Sequence, residues 1–142
     1  MIDQLTVFLA NERGRLAFVC RTLAQADVNI YALFVADTED FGVARLLCDR
    51  PRAAAEALQV AGLRASCLPV VAVHVPDCPG GLASLLELLD EHGVNVEYAY
   101  CISSNRETAV DILKVEDGLA TEKLLAEAGY DLVSPGSLYE LD

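Results

Sequence analysis

Residues 7–17, Val-Phe-Leu-Ala-Asn-Glu-Arg-Gly-Arg-Leu-Ala, return as residues 73–83, Val-His-Val-Pro-Asp-Cys-Pro-Gly-Gly-Leu-Ala. Val7/Val73, Gly14/Gly80, Leu16/Leu82 and Ala17/Ala83 coincide at one offset, and so do Leu23/Leu89, Val28/Val94 and Asn29/Asn95. Identities at one offset that fall on glycines and apolar positions mark an internal duplication, which constrains the fold more than any single motif. The chain of 142 residues therefore reads as two copies of one short unit. Units this short bury little of their surface and are marginal alone. They are expected to pack on each other and on a further chain.

In the first copy, residues 2–10 are rich in β-formers and read as a strand. A loop follows at 11–14, where Gly14 can take a positive φ. Leu16, Val19, Cys20 and Leu23 have helical spacing. A second strand spans 29–37, a polar turn ends at Gly42, and a third strand covers 43–49. Pro51 suits a first helical turn, and Gly62 ends that helix as a C′ glycine. A fourth strand is expected at 63–67. The second copy repeats this plan, with a strand at 69–76, a loop at 77–80 and a helix at 81–92. Strands at 94–103 and 108–116 and a helix at 119–128 complete it. The offset grows by one residue between the two middle strands, which places the insertion in the second hairpin, where a change of loop length costs least.

The order β-α-β-β-α-β is that of a ferredoxin-like split unit, with both helices on one face of an antiparallel sheet. The fold class expected is α+β, two such four-stranded units. They span residues 1–68 and 69–134, with a tail at 135–142. No Gly/Ser linker separates the copies, so a fixed orientation is expected. Residues 28–36 and 70–75 are apolar at both odd and even positions, and a strand apolar on both faces is expected to be buried on both. That points to cover by the other unit or by a second chain, and hence to a homodimer.

Charge narrows the partners. The net charge is −12. Residues 1–68 carry 8 acidic and 7 basic side chains, and residues 69–142 carry 14 and 3. The second copy has no basic face to neutralise phosphates, which argues against nucleic acid and anionic membranes. No apolar run reaches the ~18 residues of a membrane span. The N-terminus lacks a basic segment followed by an apolar one, so the expected location is the cytoplasm. The cysteines Cys20, Cys48, Cys67, Cys78 and Cys101 are odd in number and contain no C-x-x-C pair. Buried reduced thiols are the reading that fits. Cys78, in a loop before a helix, is the one candidate for a reactive thiol.

No nucleotide, metal or nucleophile signature is present, and no cofactor is expected. Gly80-Gly81 lacks the Lys-Ser/Thr of a P-loop. His74 and His92 have no ligand spacing, and the acidic turn at Asp37, Glu39 and Asp40 lacks the spacing of a calcium loop. What recurs is the loop after the first strand and the Val-Asn that opens the second. Asn11 pairs with Asn29, and Asp77 with Asn95, as polar residues at matching places. They are expected to meet at one end of each unit. There the exposed N–H groups of a helix start suit a carboxylate. The alternative is an Asn that only caps a helix or shapes a turn.

With these residues in view, the chain resembles the ACT domain, a small regulatory fold that binds amino acids. The family loop reads Asx-x-Pro-Gly-x-Leu ahead of Gly-Val/Ile-Asn-Ile. Here the first copy has Asn11-Glu12-Arg13-Gly14-Arg15-Leu16 with Asp27-Val28-Asn29-Ile30. The second has Asp77-Cys78-Pro79-Gly80-Gly81-Leu82 with Gly93-Val94-Asn95-Val96. The resemblance implies a tandem ACT protein that is not an enzyme and regulates a separate metabolic enzyme or regulator. It implies ligand contacts from Asn11, Glu12, Arg13, Gly14, Asn29 and Ile30, and from Asp77, Cys78, Pro79, Gly80, Asn95 and Val96. Such ligands lie between two units, the loop of one facing strands of its neighbour. Arg13 stands where the family has proline. Leu9 and Val75 stand where serine-binding relatives carry a polar side chain, which favours an apolar or aromatic amino acid. Asn11 suits a carboxylate better than Asp77, so the first loop is the favoured site. Two other readings remain: an adaptor that pairs with an enzyme and binds nothing small, and a small enzyme using Cys78.

Overall fold

The structure, a computed structural model, describes residues 1–137. The elements are β1 (Ile2–Ala10), α1 (Arg15–Gln25), β2 (Ile30–Asp37), β3 (Phe41–Cys48), α2 (Pro51–Val60), β4 (Arg64–Pro76), α3 (Gly81–Glu91), β5 (Val96–Ser104), β6 (Thr108–Val115) and α4 (Gly118–Glu127). A 3-10 turn, Pro135–Ser137, opens the expected tail, whose residues 138–142 lie outside the described residues. One compact unit holds Asp3–Leu68, and the other holds Pro69–Ser137 with Met1–Ile2. Each is a βαββαβ unit, as the order of elements requires.

In the first unit the strand order is β2-β3-β1-β4. β1 and β3 are antiparallel from Leu5↔Leu46 to Ala10↔Phe41, and β2 pairs with β3 from Ile30↔Cys48 to Asp37↔Gly42. Alternate residues of each strand share a face. Leu5, Val7 and Leu9 therefore join Ala44, Leu46 and Cys48 on one side of the sheet. Val19 and Leu23 of α1 and Ala54, Ala55 and Leu58 of α2 close over them. A fully buried Leu such as Leu23 contributes about 2 kcal/mol of transfer free energy.

In the second unit β4 pairs with β6 from Val71↔Leu113 to Pro76↔Thr108, and β5 pairs with β6. Its core repeats the first, with Val71, Val73 and Val75 under Leu85 and Leu89 of α3 and Leu125 of α4. Its last strand is reduced to a single antiparallel bridge, Val73↔Leu132. Hydrogen bonds from His74 N to Asp131 O and from Val133 N to Ala72 O, both 2.8 Å, flank that bridge.

One sequence expectation is corrected here. The strands expected at 63–67 and 69–76 are one unbroken strand of 13 residues. Pro69 interrupts no ladder that the fold needs and stays exposed, as a proline within a strand must. Burial on both faces holds at β4, where Val70, Val71, Ala72, Val73 and Val75 are all buried. Within this chain β2 has no buried residue, so cover there is left to a second chain. β2 is the outer strand of its unit, and Tyr31 (45% exposed) and Leu33 (39%) remain open.

Candidate functional site

Each loop after a first strand is shaped by backbone hydrogen bonds, and the two copies use the same set. In the first, Glu12 N donates to Ala10 O (2.9 Å), Arg15 N to Glu12 O (3.3 Å) and Phe18 N to Gly14 O (2.9 Å). In the second, Cys78 N donates to Pro76 O (3.0 Å), Gly81 N to Cys78 O (3.0 Å) and Ser84 N to Gly80 O (2.9 Å). Gly14 and Gly80 precede their helices at φ +87° and +84°, a left-handed conformation that costs glycine nothing. Neither α1 nor α3 has a side-chain cap. Arg15 N and Gly81 N are engaged within their loops, so the N–H groups of residues 16–17 and 82–83 are the ones left without an intrahelical partner, at a point of positive potential beside the exposed loop residues 11–14 and 77–80.

The polar residue that opens each loop braces the adjoining hairpin. Asn11 N donates to Asp40 O at 3.0 Å, and Asn11 Nδ2 donates to the carbonyls of Thr38 (3.1 Å) and Glu39 (3.3 Å). In the second unit Asp77 N donates to Glu107 O at 2.9 Å. There the side-chain bond runs the other way, because the Ser104 hydroxyl donates to Asp77 Oδ2. One loop is held by an amide donating, the other by a carboxylate accepting.

The structure does not bring the loop and the second strand's start together within a unit. Ala10 and Asp37 lie at the end where β3 begins, at Phe41 and Gly42, whereas Ile30 pairs with Cys48 at the other end. Asn29 and Ile30 are thus a full strand away from residues 11–14, roughly 25 Å at strand rise. Asn95 and Val96 are displaced likewise, since Val96 pairs with Val115 while Pro76 pairs with Thr108. The cause is the crossover. β1 and β2 are parallel, so the helix between them returns the chain to the end where β1 began.

Asn29 and Asn95 instead open onto concavities at that far end. Asn29 lines one of about 470 Å³ with Tyr31 and Arg50. Its backbone is fixed by Asp49, whose Oδ1 accepts from Asn29 N at 3.0 Å. Asn95 lines one of about 1050 Å³ with Lys114 and the start of α4. Lys114 Nζ is already engaged, donating to Glu97 (3.2 Å) and to the Val115 carbonyl (2.9 Å). Leu9 and Val75 are buried in the cores of their units, so they do not line either loop.

Sequence reasoning missed Asp111. It lies on β6 opposite Val73 on one side and Cys101 on the other, and it is 8% exposed. Burial, and then the charge of Asp77, raise its pKa above the usual aspartate value. The corresponding residue of the first unit is Ala44, opposite Val7 and Val35. A carboxylate where the duplicate has an alanine was the available signal.

The whole pattern matches a family model described as an ACT domain pair, over residues 1–140. The chain belongs to the ACT family. As an ACT pair it is similar to protein BT0572 from Bacteroides thetaiotaomicron, with 33% identity over 99% of this chain and 96% of that one, at a TM-score of 0.90. The fold is also shared with the ligand-free regulatory subunit of aspartate kinase from Thermus thermophilus. That protein has 17% identity over 89% of this chain and 92% of its own, with a TM-score of 0.65. The regulatory subunit of aspartate kinase from Thermus flavus has 19% identity over 90% and 94%, with a TM-score of 0.62. No curated protein matches the sequence. Among the described residues, no helix of this ACT pair is long and apolar enough to cross a membrane.

Proposed function

We propose that this ACT pair binds an amino acid at the loops 11–14 and 77–80 and regulates a separate metabolic enzyme or regulator. Its two modules are residues 1–68 and 69–134. The observation that carries this reading is the duplicated loop, in which a left-handed glycine precedes an uncapped helix start in both units. Such a start is a ready carboxylate site. Asn11 and Asp77 act by bracing the loop. Glu12, Arg13 and Gly14, and Cys78, Pro79 and Gly80, present its surface. Asn29 with Ile30, and Asn95 with Val96, reach a ligand only at the loop of a neighbouring unit, so a homodimer is part of the proposal. The open β2 supports it. An apolar or aromatic ligand suits the first loop because Phe41 (67% exposed) and Leu16 adjoin it. Binding would favour one packing arrangement over another and so shift the target's activity, without catalysis by this chain. The five free thiols suit the reducing cytoplasm.

Calorimetry and thermal unfolding against the twenty amino acids test this. A ligand at a hundred times its Kd adds about 2.7 kcal/mol of stability. No heat and no stabilisation at millimolar concentration would remove the sensor reading. The second reading, an adaptor without a small ligand, draws on the same exposed apolar β2. Retention of a partner enzyme in amino-acid-free buffer would favour it.

A further inference from the structure

The helix that follows each loop keeps the core pattern of its duplicate and changes its charge. α1 carries Arg15 and Arg21 and no acidic residue, whereas α3 carries Glu87, Asp90 and Glu91 and no basic one. At the repeat offset Arg21 stands where α3 has Glu87, and Ala24 where it has Asp90. Val19 and Leu23 of α1, and Leu85 and Leu89 of α3, belong to their cores. Helical spacing then puts Ala17, Cys20, Arg21 and Ala24 together on one flank of α1. The matching flank of α3 carries Leu86, Glu87 and Asp90, and no residue of either flank is buried. On α1 this flank adjoins β2, because Ala24 and Tyr31 line one concavity. Among the described residues, Arg21, Glu87 and Asp90 make no ion pair.

We infer that the flank of α1 in one copy docks antiparallel on the flank of α3 in a second copy. The inference rests on the homodimer reading above and adds which faces meet. Each copy carries both flanks, so a two-fold pair makes the contact twice. Shape and charge both select it. Leu86 projects from α3, whereas Ala17, Cys20 and Ala24 leave α1 shallow, so the ridge of one fills the groove of the other. Arg21 then meets Glu87 and Asp90, a rim contact that fixes register and partner. Two α1 flanks would set Arg21 against its own copy, and two α3 flanks would set Glu87 and Asp90 against theirs. Like charges oppose both of these pairings. The antiparallel crossing also places the positive start of each helix beside the negative end of the other. Both helices have 11 residues, so their ends coincide. The loop at 11–14 of one copy therefore comes beside Asn95 of the other, and the loop at 77–80 beside Asn29. Each loop finds its neighbouring strand in the opposite kind of unit, and a site of the kind proposed is incomplete in one copy.

The test is sedimentation of the full chain at low salt, for the wild type, Arg21→Glu, Glu87→Arg and an equal mixture of the two variants. Either variant alone sets like charges together in both contacts, and its self-association should weaken about tenfold. The neutral Glu87→Gln should fall between wild type and Glu87→Arg. In the mixture the introduced acid meets the introduced base in one contact, and native Arg21 meets native Glu87 in the other. The dimer should therefore return, which also shows that both variants fold. Raising the salt should weaken the wild-type dimer. A dimer unchanged in both variants would overturn this pairing and leave the homodimer standing. So would a mixture that stays monomeric while each variant unfolds cooperatively. A monomeric wild type would overturn the pairing and the homodimer together.

Discussion

Asp111 in β6 occupies the place that Ala44 occupies in β3, each opposite a valine of its unit's first strand, Val73 and Val7. The two residues share a backbone environment and differ in charge. Asp111 lies between Val73 and Cys101 in the sheet, and burial and then the charge of Asp77 raise its pKa. For a carboxyl group of raised pKa the native state holds its proton more tightly than the unfolded chain. The penalty is absent below about pH 4, where both states are protonated, and grows as pH rises through the folded pKa. Asp111→Asn should therefore stabilise the protein at pH 7, and the gain should vanish at pH 3. Urea unfolding of both proteins at the two pH values checks this. Equal stability at pH 7 would show that the carboxylate is already compensated.

Gly81 is the first residue of α3, and its counterpart in α1 is Arg15. The first loop tolerates a side chain there, but the second brings the Pro76 carbonyl to 2.1 Å from where a Cβ would stand. Gly81→Ala must push the helix start off the strand end. Overpacking of this kind costs about 1–3 kcal/mol. It should also weaken any ligand response at residues 77–81 while sparing 11–14. Arg15→Ala should cost under about 0.5 kcal/mol. Thermal unfolding of the two variants separates them.

Asn11 joins the first loop to the β2–β3 hairpin through two donated hydrogen bonds. Asn11→Ala removes both, and at an exposed site the loss should be about 1 kcal/mol. Hydrogen exchange should quicken at residues 11–14 and 38–41 and stay unchanged in the second unit. Asn11→Asp, which copies Asp77, should not restore protection, because the acceptors at Thr38 and Glu39 are carbonyls that repel a carboxylate.

β2 presents Tyr31 and Leu33 to solvent along the strand that is outermost in its sheet among the described residues. Exposed edges of this character pair with other chains unless they carry charge. Leu33→Lys should shift sedimentation from dimer toward monomer without lowering the unfolding cooperativity of the monomer. If the wild-type chain sediments as a monomer at micromolar concentration, the homodimer proposal fails.

The duplication, the element order and the left-handed glycines were legible in the chain because each depends on local rules. Apolar spacing reports a helix or a strand, since one face must leave water. Gly14 and Gly80 mark places where the backbone turns left-handed. Their helices begin where the periodicity begins. The tertiary structure decided what depends on residues far apart in sequence. The register of β1, β2 and β3 placed Asn29 a strand's length from Asn11, which no spacing within either segment reports. The pairing of β4 with β6 set Asp111 opposite Val73, 38 positions earlier in the chain. Whether β2 was covered also depended on what lay beside it. An apolar strand records only that burial is favourable, and the sheet edge determines whether the chain itself can supply it.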